Sequence, residues 1–291
     1  MEYTNLIYKY DETSGIARLS INRPQVKNAL NKNTRKEIRT IVDSLKNDYS
    51  VKVLIITGAG QDSFVSGADV LDFKDAKPID IEEYASTLGQ QLFTDIENLP
   101  MPVIAMINGY CFGGGCELAM SCDIRIASDN SKFGQLEINL GFIPGAGGTQ
   151  RLPRLVGIEN AWPILRSGNP ISSAQAKEIG LIQEEVEGDL IDAAITWVKN
   201  ILSGKVRVTP IRKDPIPIPS KLPEVDIGHL SRKIDSLLQK AILEGAKMNL
   251  DEGLKLEARI SGECFLTEDM HIGLDNFVKN GPRVKANFVH K

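Results

Sequence analysis

Two stretches of this chain share one layout, and that repetition limits the folds open to it. In "VKVLIITGAGQDSFVSGADV" a short, β-branched apolar run ends in a loop of small residues. In "MPVIAMINGYCFGGGCELAM" a second apolar run ends in a glycine loop that leads straight into a helical pattern. Short apolar runs flanked by Gly and Pro favour buried strands over helices. With "DIRIASD" as a further strand, the pattern predicts stacked strand–loop–helix repeats, an α/β architecture. The earlier segment "GIARLSI" alternates apolar and polar residues as a half-buried strand does. Between Thr34 and Leu45, the side chains of Ile38, Ile41, Val42 and Leu45 fall on one helical face.

Composition shifts near Gly204. The stretch "VRVTPIRKDPIPIPSKLPEVD" holds five of the chain's 14 prolines, so it reads as an extended arm rather than a helix or central strand. Beyond it, Leu230, Ile234, Leu237, Leu238 and Ile242 form an apolar helical stripe. The division that follows is a core over residues 1–203 carrying the active site, a Pro-rich arm over 204–228, and a helical lobe over 229–291.

Bulk properties narrow the function classes. The 291 residues carry a formal net charge of -4, which leaves no electrostatic footprint for nucleic acid and no polybasic membrane anchor. No apolar run is long enough for a membrane span, and the charged opening "MEYTNLIYKYDETSG" does not read as a signal peptide. Cys111, Cys116, Cys122 and Cys264 lack zinc or redox spacing and read as reduced core thiols, which implies a reducing, cytoplasmic setting. His229, His271 and His290 all lie in or beside the helical lobe. A Ser-His-Asp or Cys-His mechanism in the core therefore has no base.

Three segments carry candidate chemistry. Gly113, Gly114 and Gly115 stand where a strand predicted at Val103–Ile107 gives way to a helix. Without Cβ atoms, backbone N–H groups there can approach a ligand closely, and the helix start adds partial positive charge. A thioester oxygen placed there can be polarised and an enolate stabilised. The glycines alone fit a tight packing turn as well. Glu117 follows them within the first turn, among apolar Cys116, Leu118, Ala119 and Met120. The second segment, "SKFGQLEINLGFIPGAGGTQRL", sets Glu137 just before a Gly/Pro-rich loop over Gly141–Gly148. A lone Glu in such a run is ordinarily an exposed strand or loop residue. Two carboxylates sharing an apolar pocket instead provide one proton donor and one acceptor near neutral pH. In the third segment, "DSFVSGADV", Ser66, Gly67 and Ala68 end the first repeat as the glycines end the second.

Taken together, the ordered blocks "NRPQVKNAL", "SFVSGADV", "NGYCFGGGCELAMSCDIRIAS", "FGQLEINLGFIPGAGGTQRLPRLVG" and "ISSAQAKEIGLI" resemble the enoyl-CoA hydratase/isomerase (crotonase) superfamily. The resemblance is close over about residues 5 to 200, and the tail "GECFLTEDMHIGLDNFVKNGPRVKANF" matches the family's C-terminal end. It implies an α/β, ClpP-like spiral of ββα units with an α-helical C-terminal lobe that supports trimers or hexamers. It also implies an oxyanion hole from the N–H groups of Ala68 and Gly114, with Glu117 and Glu137 as catalytic acids. Coenzyme A, part of the substrate, would meet Ser66, Ala68, Asp69, Val70, Leu71 and Gly145, with Arg283 and Lys285 of a neighbouring subunit reaching its phosphates. Leu71 stands where the family often has Lys, so that phosphate contact is absent or falls to Lys74. The resemblance calls for no metal and no separate cofactor.

The fold alone does not settle the reaction. Hydratases of the family carry acids at both positions, whereas isomerases typically keep the second alone. The expected activity is reversible hydration of trans-2-enoyl-CoA to 3-hydroxyacyl-CoA, with a short-chain substrate such as crotonyl-CoA or 3-hydroxypropionyl-CoA. The alternatives are a 2-enoyl/3-enoyl isomerase and a non-catalytic RNA-binding or scaffold homologue.

Overall fold

The computed structural model of the chain describes residues 3–73, 79–80 and 84–290. They divide into two compact units, each assembled from three stretches of sequence. The first comprises Met1–Gly67, Leu92–Phe133 and Ile171–Ile211; the second comprises Ala68–Gln91, Gly134–Pro170 and Arg212–Lys291. The second unit thus takes the helical lobe and most of the Pro-rich arm together with two insertions from the core region.

The first unit is built on a six-stranded sheet of order β1-β2-β3-β5-β7-β10. Its strands are β1 (Leu6–Asp11), β2 (Ile16–Ile21), β3 (Val53–Gly58), β5 (Val103–Ile107), β7 (Ile124–Ser128) and β10 (Glu184–Val186). β1 pairs with β2 antiparallel, and every later pairing is parallel. Parallel strands are covered on both faces, which is why β3 and β5 are apolar throughout and wholly buried. Helix α7 (Leu190–Leu202) covers one face with Ala194 and Val198 against Val53, Ile55, Ile104 and Met106. Helix α1 (Lys32–Leu45) buries the expected stripe of Ile38, Ile41, Val42 and Leu45. It starts two residues before the expected Thr34, because Asn31 caps it by accepting from the Thr34 N–H.

A second sheet has the order β4-β6-β8-β9, from Ser63–Val65, Tyr110–Phe112, Lys132–Gly134 and Ile171–Ser172. The two repeats read from sequence stack directly: Leu54 lies opposite Val103 in the large sheet, and Val65 opposite Cys111 in the small one. The helix after the second repeat, α3, spans Gly114–Met120. Cys111, Cys116, Cys122 and Cys264 are all buried free thiols.

In the second unit, α4 (Gly148–Val156), α5 (Ile158–Ser167), α8 (Arg232–Gly245), α9 (Leu250–Cys264) and α10 (Glu268–Asn280) pack together. Gln150 sits between three of them, fully buried, and donates to Ala241 O at 2.9 Å. Side chains at Gly245 and Gly253 would overlap its amide, so glycine lets α8 and α9 close on α4. Arg166 joins α5 to α8 through a bidentate pair with Asp235, 2.7 Å on both arms. The Pro-rich arm has neither helix nor strand, as its proline content requires. Its Ile216 N–H donates to Ala246 O, and Leu250 N–H donates to Lys213 O, both at 2.8 Å, which docks it on the turn between α8 and α9. Tyr84–Gln91 has π-helical winding and runs into the α-helical Leu92–Glu97 (α2).

Candidate active site

Within the first unit, the Ser66–Gly67 turn and the start of α3 lie side by side. Gly67 and Gly113 end equivalent strands and both adopt left-handed φ, +124° and +49°, which favours glycine at both positions. A Cβ at Gly67 would stand 3.5 Å from Phe112 O, and one at Gly115 would overlap the Val65 carbonyl. The first turn of α3 is therefore pressed onto the backbone of β4. Gly113 offers no side-chain cap, and Gly114 is the first helical residue, so its N–H has no acceptor within the helix.

Glu117 follows in that same turn and is 2% exposed. Its neighbours Cys116, Leu118, Ala119 and Met120 are buried with it. Taking a carboxylate this far out of water is costly, and the positive end of the helix beside it offsets part of that cost.

The turn at Ser66 has a support that carries no role in the sequence reading. Ser66 N–H donates to Lys27 O at 3.1 Å, and Leu30 N–H donates to Gly67 O at 2.9 Å. Lys27 and Asn28 both hold left-handed φ, which turns the "NRPQVKNAL" segment back under the loop. The fully buried Asn28 amide donates to Ala59 O and Ser63 O at 2.9 and 2.8 Å. An Asn is one of the few residues suited to that backbone conformation, and this is the signal in the block that reveals it.

The second unit holds the other candidates. Glu137 opens a 3-10 turn, Glu137–Leu140, and is neither strand nor open loop. Both of its carboxylate oxygens lie 3.2 Å from the amide nitrogen of buried Gln135, in the amide orientation that satisfies both groups. Its carbonyl accepts from Phe142 N–H at 3.1 Å. Phe142 in turn packs with Phe73 and Phe265, at centroid distances of 6.2 and 5.3 Å, and Val70 joins this cluster. The turn bearing Glu137 and the Val70–Phe73 turn that follows Ala68 and Asp69 thus share one apolar floor. Asp69 accepts from Asp72 N–H through its carbonyl at 3.0 Å. Leu71 projects to solvent, 66% exposed. Lys74 lies outside the described residues.

Gly145 belongs to the loop that runs into α4, and that loop is held by a residue absent from the sequence reading. Glu257, on α9 and fully buried, accepts from Gly147 N–H (2.6 Å), Thr149 N–H (2.8 Å), Thr149 Oγ1 (2.7 Å) and Gln90 Nε2 (3.0 Å). It serves as a cap for α4 from more than a hundred residues away, taking orphan N–H groups that the glycine-rich start cannot satisfy itself. A lone Glu in an amphipathic helix gives no sequence signal for this.

Arg283 and Lys285 are exposed on the tail after α10. The tail is tied at two places: Val284 O accepts from Asn276 Nδ2 at 2.6 Å, and Asp269 accepts from Val289 and His290 N–H at 2.6 and 3.0 Å. Burial and the Lys285 charge together lower the His229 pKa below its ordinary value. Among the described residues, no cluster of three or more His, Cys, Asp or Glu is placed to hold a metal ion.

Known proteins resemble this chain along most of its length. A family model described as "Enoyl-CoA hydratase/isomerase" matches residues 11–214. The chain is 39% identical over 291 residues to a "Crotonyl-CoA hydratase" of Syntrophomonas wolfei, covering 100% of both chains. It is 38% identical over 280 residues to a "Short-chain-enoyl-CoA hydratase" of Clostridium acetobutylicum, covering 96% of both. Among solved structures, an enoyl-CoA hydratase from Bacillus anthracis superposes with a TM-score of 0.65 at 31% identity, over 98% of this chain and 100% of the other. An enoyl-CoA hydratase/isomerase from Xanthobacter autotrophicus Py2 gives a TM-score of 0.73 at 26% identity, over 97% of this chain and 96% of the other.

Proposed function

This chain belongs to the enoyl-CoA hydratase/isomerase family, and from that membership we propose that it catalyses the reversible hydration of short-chain trans-2-enoyl-CoA to 3-hydroxyacyl-CoA, acting as a carbon–oxygen lyase. The full-length similarity to hydratases of crotonyl-CoA and short-chain enoyl-CoA supports both the reaction and the substrate length. The observation that carries the reading is the pair of acids: Glu117 buried behind a glycine-capped helix start, and Glu137 gripped by Gln135.

In the proposed mechanism, the Ala68 and Gly114 N–H groups hold the thioester oxygen and stabilise enolate character as water adds. Glu117 and Glu137 together position one water. Glu117 takes its proton as the oxygen attacks Cβ, and Glu137 delivers a proton to Cα; dehydration reverses these roles. The site needs no metal or redox cofactor. The Ser66–Leu71 segment and Gly145 contact the CoA thioester, and Arg283 and Lys285 serve a neighbouring subunit's CoA phosphates. That last role requires a homotrimer or a hexamer of paired trimers, which the exposed Leu266, Val278 and Val284 of the helical lobe support. Among the described residues no helix is long and apolar enough to cross a membrane, and four buried free thiols suit a reducing cytoplasm.

Glu137→Gln tests the reading. It should cut crotonyl-CoA hydration by about two to four orders of magnitude while leaving thermal unfolding unchanged. Near-normal turnover would remove Glu137 from the mechanism.

A further inference from the structure

A cavity of about 300 Å³ lies within the unit that holds the helical lobe, and none of the candidate active-site residues lines it. Three sources of positive potential meet at its wall. Arg154, on the last turn of α4, is 9% exposed. Its guanidinium donates to Gln150 O (3.0 Å), Gln150 Oε1 (3.3 Å), Gly245 O (3.2 Å) and Met248 O (2.8 Å), all neutral acceptors. Among the described residues its buried Nε has no hydrogen-bond partner. Burial, then the charges of Arg151 and Arg212, lower its pKa; the one carboxylate acting on it, Glu257, is engaged by Gly147, Thr149 and Gln90. A buried cation bonded only to neutral oxygens is compensated only in part by that already engaged carboxylate.

Arg212, exposed on the Pro-rich arm, is the second source, and among the described residues no ion pair engages it. The third is the start of α5, ten residues long, whose N-cap Gly157 supplies no side-chain acceptor for the first-turn N–H groups. Ile158 and Glu159 of that turn line the cavity. Glu159 is the single acid in the lining; its Oε2 stands 3.4 Å from where a Cβ on Gly157 would be, beside the helix start. It is exposed and free to swing aside. Opposite, Ile216 to Pro219 of the arm present a stiff apolar wall.

We propose that this cavity binds a small phosphomonoester, with the phosphate between Arg154, Arg212 and the α5 N-terminus and the organic group against the proline wall. Two cations and a helix start suit a phosphate dianion. The volume, at the low end for small-molecule sites, exceeds the need of a bare oxyanion. The inference is independent of the proposed reaction.

Titration calorimetry of the full chain, with free CoA present at saturation, tests it using inorganic phosphate, phenyl phosphate and benzoate as probes. Phenyl phosphate should bind one site per chain, at least about tenfold tighter than inorganic phosphate or benzoate. Arg212→Ala should weaken it at least about tenfold, and Glu159→Gln should tighten it. Neither variant should alter crotonyl-CoA hydration. Absence of saturable binding, displacement by CoA, equal affinity for benzoate, or an unchanged affinity in Arg212→Ala would each overturn the proposal.

Discussion

Glu117 and Glu137 are held in place by different means. The restraints on the first come from the repeating strand–loop–helix pattern: β4 pairs with β6, and Gly115 presses α3 onto Val65. The second stands on a short turn whose surroundings come from distant stretches of sequence. Gln135 grips its carboxylate, Phe142 ties its turn to Phe73 and Phe265, and the following loop hangs on Glu257. A Cβ at Gly141 would crowd the Asp269 carbonyl at 2.5 Å, so even the end of that turn is shaped by α10. One carboxylate is positioned by a fold repeat, the other by a neighbouring amide, an aromatic cluster and a loop held by a distant acid. The first should therefore be sensitive to steric change and the second to loss of charge.

Gly115→Ala is the strongest blow to the repeat. The new methyl group meets backbone that cannot move without opening β4 from α3, so the loss of stability should be about 3 kcal/mol or more, read by denaturant unfolding. A near-normal midpoint would mean that the stacking is looser than the geometry implies. Glu257→Gln tests the other half. The substitution turns one acceptor into a donor facing the N–H of either Gly147 or Thr149. It should destabilise the chain by about 2 kcal/mol and lower kcat for crotonyl-CoA hydration more than it raises KM, with Glu257→Ala worse on both counts. Unchanged kinetics would separate the glycine loop from catalysis.

The smallest effect concerns Asp123, in the turn before β7. Burial, the largest cause, raises its pKa above 3.8, although its carboxylate accepts from Val103 N–H at 2.8 Å. A carboxyl group whose folded pKa is raised favours the folded state below the unfolded value and loses that contribution as pH rises through the folded one. Asp123→Asn retains an acceptor for Val103, so it should melt slightly higher than the parent at neutral pH. The difference should close as pH falls toward 3.8. A gap that widens on acidification would reverse the assignment.

This division also explains what could be read from the amino-acid sequence. The β5 strand and the Glu117 helix announce themselves through apolar runs ending in glycine, because contiguous residues build them. The Pro-rich arm was equally plain, since proline excludes the regular alternatives. Glu257 and Asp269 give no signal. Each is a polar residue on an otherwise ordinary stretch, and its role depends on a partner that only tertiary packing supplies. Asn28 lies between these cases: its block was recognisable, but its buried bonds to Ala59 and Ser63 span more than thirty residues.

The most direct test of the account is a double-mutant cycle on kcat for crotonyl-CoA hydration, using Glu117→Gln, Glu137→Gln and the two combined. If both acids work on one water, each single variant should lose a factor of about 100 to 10,000, and the combined variant should fall little further. Losses that multiply in the double variant, or near-wild-type turnover in either single one, would contradict it.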